Sequence, residues 1–305
     1  MPITGHHHIS MYTKDARQNK YFYTEILGLR LVEKTVNQDN PTMYHLFYGD
    51  QTGTPGTLLT FFEMPNLGKH HPGTNSIARL ALLVPDKQAL DFFEARLNRY
   101  EIQTTTSTYL GQQALAFQDP DGLELILIDN HDRKIPEVWQ HNPYSDIPEN
   151  LQILGMGPVE LRLRDIRPTA DFLVDILGYQ PLSADVYSLN SKGLYSDFVL
   201  VEDNGERVKP GRGYVHHIAV SVPTDEDLEA IRQKIDQLSG SNSGIIDRYF
   251  FKSLYYRHNK IMYEFATEAP GFIIDTPIEN LGETLTLPDF LEDRRAEIEN
   301  NLEEI

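Results

Sequence analysis

Phe22-Tyr23-Thr24-Glu25-Ile26-Leu27-Gly28-Leu29 recurs 150 residues further along the chain as Phe172-Leu173-Val174-Asp175-Ile176-Leu177-Gly178-Tyr179. In both segments apolar residues stand at helical spacing and a glycine follows the last of them, which predicts a helix that stops at Gly28 or Gly178. A short stretch of alternating apolar and polar residues precedes each segment and predicts a half-buried strand. The chain therefore contains an internal repeat that begins with a strand and a helix.

A second repeated pair interleaves with the first. Residues 77–85 and the helix predicted after them resemble residues 215–223 and the helix predicted at 225–238. Each copy ends in a strand-like segment around a glutamate, Glu124 in one and Glu264 in the other. The sequence thus predicts an α+β protein of four modules, each a strand, a helix and further strands, which start near residues 5, 76, 155 and 214.

These repeats define the predicted domains. Residues 1–132 form an N-terminal domain of modules 1 and 2, and residues 152–270 form a C-terminal domain of modules 3 and 4. The intervening residues 133–151 are polar and contain several prolines, as is typical of a linker. Residues 271–305 form a tail that ends in a predicted acidic helix with its apolar residues on one face.

The composition narrows the classes of function. The 305 residues include no cysteine, which excludes disulfides, thiolate metal sites and a cysteine nucleophile, and fits a cytoplasmic protein. No apolar run is long enough to cross a bilayer, and no signal peptide is visible at the N-terminus. With 27 basic and 45 acidic residues the net charge is −18, so we expect a small-molecule partner rather than nucleic acid or a membrane. Homo-oligomerisation stays open.

Histidine clusters mark the first and fourth modules, as His6-His7-His8 and His216-His217. Because alternate residues of a strand face opposite sides, His8, His217 and Glu264 each lie on the face opposite the apolar one. We expect that face to line a cavity. The alternatives are an affinity tag at His6-His7-His8, or surface and core histidines without a ligand role.

The other two modules provide an internal comparison. Pro158 stands 150 residues after His8, and Arg79 matches His217 when residues are counted back from the proline that ends each strand. Glu124 matches Glu264 but has no histidine companions, so we expect it to be structural or exposed to solvent. Modules 1 and 4 therefore supply two histidines and a carboxylate, the ligand set of non-haem Fe(II) oxygenases. Zn, Mn, Ni and Co also accept these ligands.

Residues 247–257, before the last strand of module 4, are rich in aromatic residues and arginine. We expect Arg248 and Tyr255 to face the cavity, where they would stabilise negative charge on a reacting oxygen. The alternative is a strand pair packed in the core, with its arginines in solvent. His7 and His216 adjoin the proposed ligands, but strict alternation directs them to the opposite face, so a role beside the metal requires a bulge.

Together these features resemble the ring-cleaving dioxygenase branch of the vicinal oxygen chelate superfamily, which also contains glyoxalases and bleomycin-resistance proteins. The resemblance covers nearly the whole chain and includes Gly5-His6-His7-His8-Ile9, Tyr44-His45-Leu46-Phe47-Tyr48-Gly49-Asp50, His216-His217-Ile218-Ala219 and Tyr263-Glu264-Phe265-Ala266-Thr267. It implies four βαβββ modules paired into two domains with curved mixed sheets. It also implies a metal, most often Fe(II), bound by His8, His217 and Glu264. The residues implied to act beside the metal are His7, His216, Arg248 and Tyr255.

Three functions follow from these observations. The leading hypothesis is Fe(II)-dependent cleavage of the ring of a hydroquinone or catechol by O2, in aromatic-compound degradation or quinone detoxification, with a histidine as the base for a phenol proton. The first alternative is a glyoxalase-like isomerase or thiol-conjugate lyase, which would use a fourth protein ligand. Glu63 is the candidate for that ligand, although we expect it to be solvated. The second alternative is a non-catalytic module that binds a quinone or a drug.

Overall fold

The computed structural model describes residues 3–274 and 276–305, and within them the chain forms two eight-stranded sheets. The strands are β1 (Gly5–Thr13), β2 (Arg30–Asn37), β3 (Asn40–Gly49), β4 (Leu58–Glu63), β5 (Ser76–Val84), β6 (Thr105–Tyr109), β7 (Gln112–Gln118), β8 (Glu124–Asp129), β9 (Gly155–Leu163), β10 (Gln180–Pro181), β11 (Val186–Ser188), β12 (Phe198–Glu202), β13 (Val215–Val222), β14 (Asn242–Asp247), β15 (Lys252–His258) and β16 (Ile261–Thr267). The helices are α1 (Ala16–Tyr21), α2 (Lys87–Arg99), α3 (Arg167–Asp171), α4 (Asp225–Ile235), α5 (Asp289–Glu292) and α6 (Arg295–Asn301).

Each sheet joins two βαβββ modules. The first sheet has the order β14-β15-β16-β13-β1-β4-β3-β2, and the second has the order β10-β11-β12-β9-β5-β8-β7-β6. The two central strands of each sheet pair antiparallel, and each of them pairs in parallel with the last strand of its own module. Both sheets are mixed, curved and open, which confirms the predicted α+β architecture.

The sheets divide the chain differently from the predicted domains. Strand β1 of module 1 pairs with β13 of module 4, and β5 of module 2 pairs with β9 of module 3. Each sheet therefore takes one module from residues 1–132 and one from residues 152–270. The division of the chain at residues 133–151 stays a prediction from sequence and does not coincide with the division into sheets.

The first repeated segment forms the same helix in modules 1 and 3. Helices α1 and α3 each continue into a π-helical turn, Phe22–Ile26 and Phe172–Ile176. The predicted glycine stops are confirmed, because Gly28 and Gly178 adopt φ of +75° and +78°, a region that glycine occupies at little cost.

Helices cover one face of the first sheet and leave the other for a site. On β13, the residues Ile218, Val220 and Val222 belong to the main apolar cluster, together with Leu228 and Ile231 of α4. The predicted packing of this strand face under a helix is confirmed. Alternation along the strand directs the other residues of β13, including His217, to the opposite face.

The segment between the halves is packed against the sheets. The Trp139 indole Nε1 donates to the Pro55 carbonyl oxygen at 2.9 Å. Its ring lies so close to Gly56 and Gly155 that a Cβ atom at either position would come within 2.6 Å of it. Residues 133–151 are thus anchored to the rest of the protein through Trp139, although their sequence is polar.

The tail forms two short helices, α5 and α6, where the sequence predicted one. The chain leaves helical geometry at Arg294, with φ −105° and ψ 6°. Leu291 and Ile298 then both join a small apolar cluster with Val36 of β2. Among residues 3–274 and 276–305, no helix is long and apolar enough to cross a membrane.

Candidate metal centre

Three side chains from β1, β13 and β16 meet in the first sheet. His8 Nε2 lies 3.0 Å from Glu264 Oε2, and His217 Nε2 lies 2.8 Å from the same oxygen. The two Nε2 atoms are 3.3 Å apart. All three residues are buried. In the described part of the chain, they form the one group of potential ligands that lies close enough together to hold a metal. The structure therefore brings together the three residues that the sequence singled out.

Two β-bulges explain why His7 and His216 lie beside the ligand histidines. The register between β1 and β13 shifts between His6 and His8, and shifts again opposite His216, where Ser10 pairs with His217 and Met11 with Val215. A bulge inserts one extra residue and redirects its side chain. His7 and His216 are these extra residues, so the bulges required for a role beside the ligands are present.

His7 fixes the orientation and the tautomer of His8. A carbonyl oxygen can only accept a hydrogen bond, so His7 Nε2 donates to the Thr267 carbonyl oxygen at 3.2 Å. Burial, and then the nearby His8, lower the pKa of His7 to about 3, so its ring is neutral and its Nδ1 is an acceptor. His8 Nδ1 donates to that atom at 2.9 Å. With its proton on Nδ1, His8 directs the lone pair of Nε2 towards Glu264.

A matching pair holds the second histidine. His216 Nδ1 and His217 Nδ1 lie 2.8 Å apart. Burial and the neighbouring His217 lower the pKa of His216 to about 3, and burial is also the largest cause of the lowered pKa of His217. A hydrogen bond from His217 Nδ1 to His216 leaves His217 Nε2 with a lone pair, as in His8.

Glu264 supplies the negative charge of the site. Burial acts to raise its pKa, but positive charge held at His8 and His217 outweighs burial and keeps the pKa well below the usual value. A cation shared by the three residues would supply that charge while both Nε2 atoms keep their lone pairs. Ser253 Oγ donates to Glu264 Oε1, whereas Oε2 has no hydrogen-bond donor. Two imidazole lone pairs and an unpartnered carboxylate oxygen thus converge, an arrangement that suits a cation. The residues present therefore fit a divalent metal.

A cavity of about 350 Å³ adjoins the three ligand atoms. His8, His216, His217 and Glu264 line it. Its remaining wall is largely apolar and includes Phe47, Phe62, Phe250, Phe251, Met43, Met64 and Met262. The volume lies at the lower end of the range for small-molecule pockets, about 300–1,000 Å³.

Arg248 and Tyr255 line this cavity, as the sequence predicted. The Arg248 guanidinium carbon lies 5.5 Å from the centre of the Tyr255 ring, which in turn lies 5.6 Å from the ring of His217. Arg248 Nη1 is 3.5 Å from Asp39 Oδ2, so its charge is partly balanced. Burial and the charge of Glu264 raise the pKa of Tyr255, so its hydroxyl is protonated and can donate.

Glu63 lies outside this site. Its Oε1 accepts a hydrogen bond of 2.9 Å from the Ala16 backbone N–H at the start of α1. The register shows which residue stands in the place of a fourth ligand. In module 4, Glu264 pairs with Ala219, which follows His217 by two residues. In module 1, Thr60 pairs with Ser10, which follows His8 by two residues. Thr60 thus occupies in module 1 the place of Glu264 in module 4, and Glu63 was the wrong candidate.

The second sheet holds no equivalent ligand group among its described residues. Arg79 Nε donates to Glu124 Oε1 at 2.9 Å, and Arg79 Nη1 lies 3.4 Å from Glu160 Oε2. Arg79 follows a bulge and matches His217, but Ala81 pairs with Ile126, so Ile126 and not Glu124 takes the place of Glu264. The sequence match of Glu124 with Glu264 was wrong by two residues.

Sequence reasoning gave no role to three polar residues on the module 1 side of the cavity. Ser10 Oγ lies 2.7 Å from Thr60 Oγ1, and Thr60 Oγ1 lies 3.2 Å from His45 Nε2. Ser10 and His45 line the cavity. Alternation on β3, which puts His45 on the face of Phe47, was a signal for His45.

Comparisons with known proteins agree with this geometry. Residues 5–127 match the Glyoxalase/Bleomycin resistance protein/Dioxygenase superfamily. The chain is 42% identical to MhqA of Bacillus subtilis (strain 168), provisionally named a ring-cleaving dioxygenase, over 100% of both chains. It is 26% identical to a chlorohydroquinone/hydroquinone 1,2-dioxygenase of Sphingobium indicum over 97% of this chain and 95% of the relative. A crystal structure from Bacillus subtilis, provisionally described as a dioxygenase, superposes with a TM-score of 0.92 at 32% identity and covers 99% of this chain and 97% of its own.

Proposed function

The chain belongs to the ring-cleaving dioxygenase branch of the glyoxalase, bleomycin-resistance and dioxygenase superfamily, and we propose that it is an Fe(II)-dependent enzyme that cleaves the ring of a hydroquinone or catechol-like compound with O2. His8, His217 and Glu264 are the proposed metal ligands. His7, His216, Arg248 and Tyr255 are the proposed residues around the reacting atoms.

The observation that carries the proposal is a set of three ligands with Thr60 in the place of a fourth. At metal–ligand distances of about 2.1 Å, neighbouring ligand atoms lie about 3.0 Å apart in an octahedron and about 3.4 Å apart in a tetrahedron. The separations here are 2.8, 3.0 and 3.3 Å, so the three atoms lie close enough together to bind one divalent ion. Three protein ligands leave room for both substrate and O2, whereas a four-ligand isomerase site leaves less.

When bound, Fe(II) would supply open positions and one-electron chemistry that brings a phenolate and O2 together. The chain itself would hold and shield these reactants. His7 and His216 keep the lone pairs of the ligand histidines directed inward, and the phenylalanine wall excludes water. The protonated Tyr255 hydroxyl and the Arg248 cation are suited to stabilise negative charge that develops on oxygen.

The cavity supports a small, neutral aromatic substrate. A volume of about 350 Å³ with aromatic and methionine walls suits a single substituted ring. Arg248 is the cationic side chain among the described lining residues, and Asp39 partly balances its charge. The name of the Sphingobium relative adds support for a hydroquinone.

Metal analysis and oxygen uptake test this proposal. The protein loaded with Fe(II) under anaerobic conditions should bind one metal per chain. It should then consume about one O2 per ring when hydroquinone or catechol is added, because a dioxygenase places both oxygen atoms in the product. His8→Ala, His217→Ala and Glu264→Ala should each lose most of the metal and the uptake.

Two outcomes would contradict the proposal. Isomerisation or cleavage of a thiol adduct, without oxygen uptake on any dihydroxybenzene, would identify a glyoxalase-like enzyme. Tight binding of a quinone without either reaction would identify a binding module. Retention of wild-type metal content in all three alanine variants would refute the ligand assignment itself.

A further inference from the structure

The first sheet has two similar halves that meet at the site. Opposite Glu264 and Thr60, the neighbouring strands place Tyr255 and Phe47 respectively. Two residues earlier on those strands, Ser253 corresponds to His45. Module 4 thus presents a carboxylate held by a serine, and module 1 presents a threonine held by a histidine.

His45 is fixed in position by its neighbours. Its ring stacks on Phe62 with 4.0 Å between ring centres and lies 4.1 Å from the ring of Phe47. Its Nε2 is 3.2 Å from Thr60 Oγ1, which is in turn 2.7 Å from Ser10 Oγ. These contacts determine the ring plane and use one of the two ring nitrogens.

The other nitrogen is available to a ligand. Nδ1 of His45 has no hydrogen-bond partner among the described residues, is not among their fully buried unpaired atoms, and belongs to a residue that lines the cavity. Burial lowers the pKa of His45 well below its usual value, so the ring is neutral. In either neutral tautomer Nδ1 keeps one hydrogen bond to make, as donor or as acceptor, and a phenolic hydroxyl satisfies both.

We infer that His45 Nδ1 binds the ring hydroxyl that does not reach the metal, and thereby selects 1,4-dihydroxybenzenes. This inference rests on the proposed function. The two hydroxyls of a hydroquinone project from opposite ends of the ring, so one can lie at His8, His217 and Glu264 while the other reaches the module 1 side of the same cavity, which His45 lines. A catechol directs both hydroxyls to the ligand end and leaves His45 without a role.

Anaerobic binding to the Fe(II)-loaded protein tests the inference, with hydroquinone, 4-methylphenol and catechol as probes. 4-Methylphenol keeps the ring and one hydroxyl but lacks the second. In the wild type we expect hydroquinone to bind about tenfold more tightly than 4-methylphenol, the effect of roughly one hydrogen bond. His45→Phe keeps an aromatic ring but removes both nitrogens, so it should abolish this preference and leave catechol and 4-methylphenol unchanged.

Two further variants separate ligand binding from a structural role. The amide of His45→Asn lies near the former Nδ1 and should restore much of the preference, whereas the amide of His45→Gln lies near Nε2 and should not. His258 offers a matched control outside the cavity, because its ring stacks on Phe172 at 4.4 Å and its Nε2 lies 2.8 Å from the Pro168 carbonyl oxygen. His258→Phe should leave the preference intact.

Several results would overturn the inference. A wild type that binds hydroquinone no more tightly than 4-methylphenol would do so, as would a His45→Phe variant that weakens both ligands equally. Oxygen uptake by the wild type reports separately on the proposed function. A protein without uptake, but with a hydroquinone preference that depends on His45, would refute the reaction and keep the binding role.

Discussion

Replacement of His7 by phenylalanine tests how the metal ligands are held. His7 accepts a hydrogen bond of 2.9 Å from His8 Nδ1. The His7 ring is itself oriented by the hydrogen bond of 3.2 Å that its Nε2 donates to the Thr267 carbonyl oxygen. Without His7, the His8 N–H is buried with no acceptor, which costs about 1–3 kcal/mol. The ring can avoid that cost by moving its proton to Nε2, but this removes the lone pair that faces Glu264. Both outcomes weaken metal binding.

We expect the dissociation constant of Zn²⁺ to rise about 10- to 100-fold in His7→Phe, or about 1.4–2.8 kcal/mol, which is typical of partners that orient a metal-binding histidine. Competition with a chromophoric chelator measures this constant without redox chemistry. His6→Phe is the matched control, because His6 and His7 are both 2% exposed. His6 Nε2 lies 3.2 Å from the Asp197 carbonyl oxygen and makes no bond to a ligand.

Thermal unfolding of both metal-free variants would show any general loss of stability. If His6→Phe and His7→Phe bind Zn²⁺ equally well, or if His7→Phe binds it like the wild type, then the proposed relay from Thr267 through His7 to His8 does not exist. A loss confined to His7→Phe would support it.

Three further predictions follow from the structure. Arg79→Ala and Glu124→Ala should keep the metal content and oxygen uptake of the wild type, because their ion pair lies in the other sheet; metal loss in Glu124→Ala but not in Glu264→Ala would reverse the assignment of the modules. Tyr255→Phe and Arg248→Ala should retain the metal but turn over about 100-fold more slowly if they stabilise developing charge, and unchanged steady-state rates would exclude that role. Burial raises the pKa of Asp119 from 3.8 to about 7, so the folded protein holds a proton that the unfolded chain has released between these values. As the pH rises from about 4 to about 7, Asp119 should therefore lower the free energy of unfolding by about 1.4 kcal/mol per pH unit. Denaturant titrations should show that Asp119→Asn lacks this contribution. Parallel plots of the free energy of unfolding against pH for the two proteins would contradict the prediction.

The local elements were predictable because their signals lie within short stretches of sequence. The helices that end at Gly28 and Gly178 depend on apolar spacing and on a glycine with positive φ, both of which are encoded locally. The pairing of β1 with β13 was not predictable in this way. Strands that are far apart in the sequence have similar apolar patterns, so the patterns do not specify which of them pair. The position of the segment 133–151 does not indicate the pairing either.

The histidine ligands were found because the residues that follow them on β1 and β13 alternate regularly, beyond the bulges at His7 and His216. Alternation places Glu264 on the cavity face without further information. The same rule directed His7 and His216 away from the site, because a bulge depends on the register between β1 and β13 rather than on the residues of either strand alone. The residues that orient the ligands were therefore named from a resemblance, and their geometry became visible only with the paired strands.

Register also explains why the sequence matched Glu124 to Glu264, why it offered Glu63 as a fourth ligand, and why it overlooked Thr60. A slip of two residues keeps a side chain on the same face of a strand, so the apolar pattern gives no warning, yet it moves that side chain by about 7 Å. Glu124 differs from the place of Glu264 by such a slip. Glu63 lies three residues beyond the place of a fourth ligand, which Thr60 occupies. The difference between a three-ligand and a four-ligand site, and with it the choice between oxygen chemistry and isomerisation, thus depends on strand register, which a single sequence does not specify.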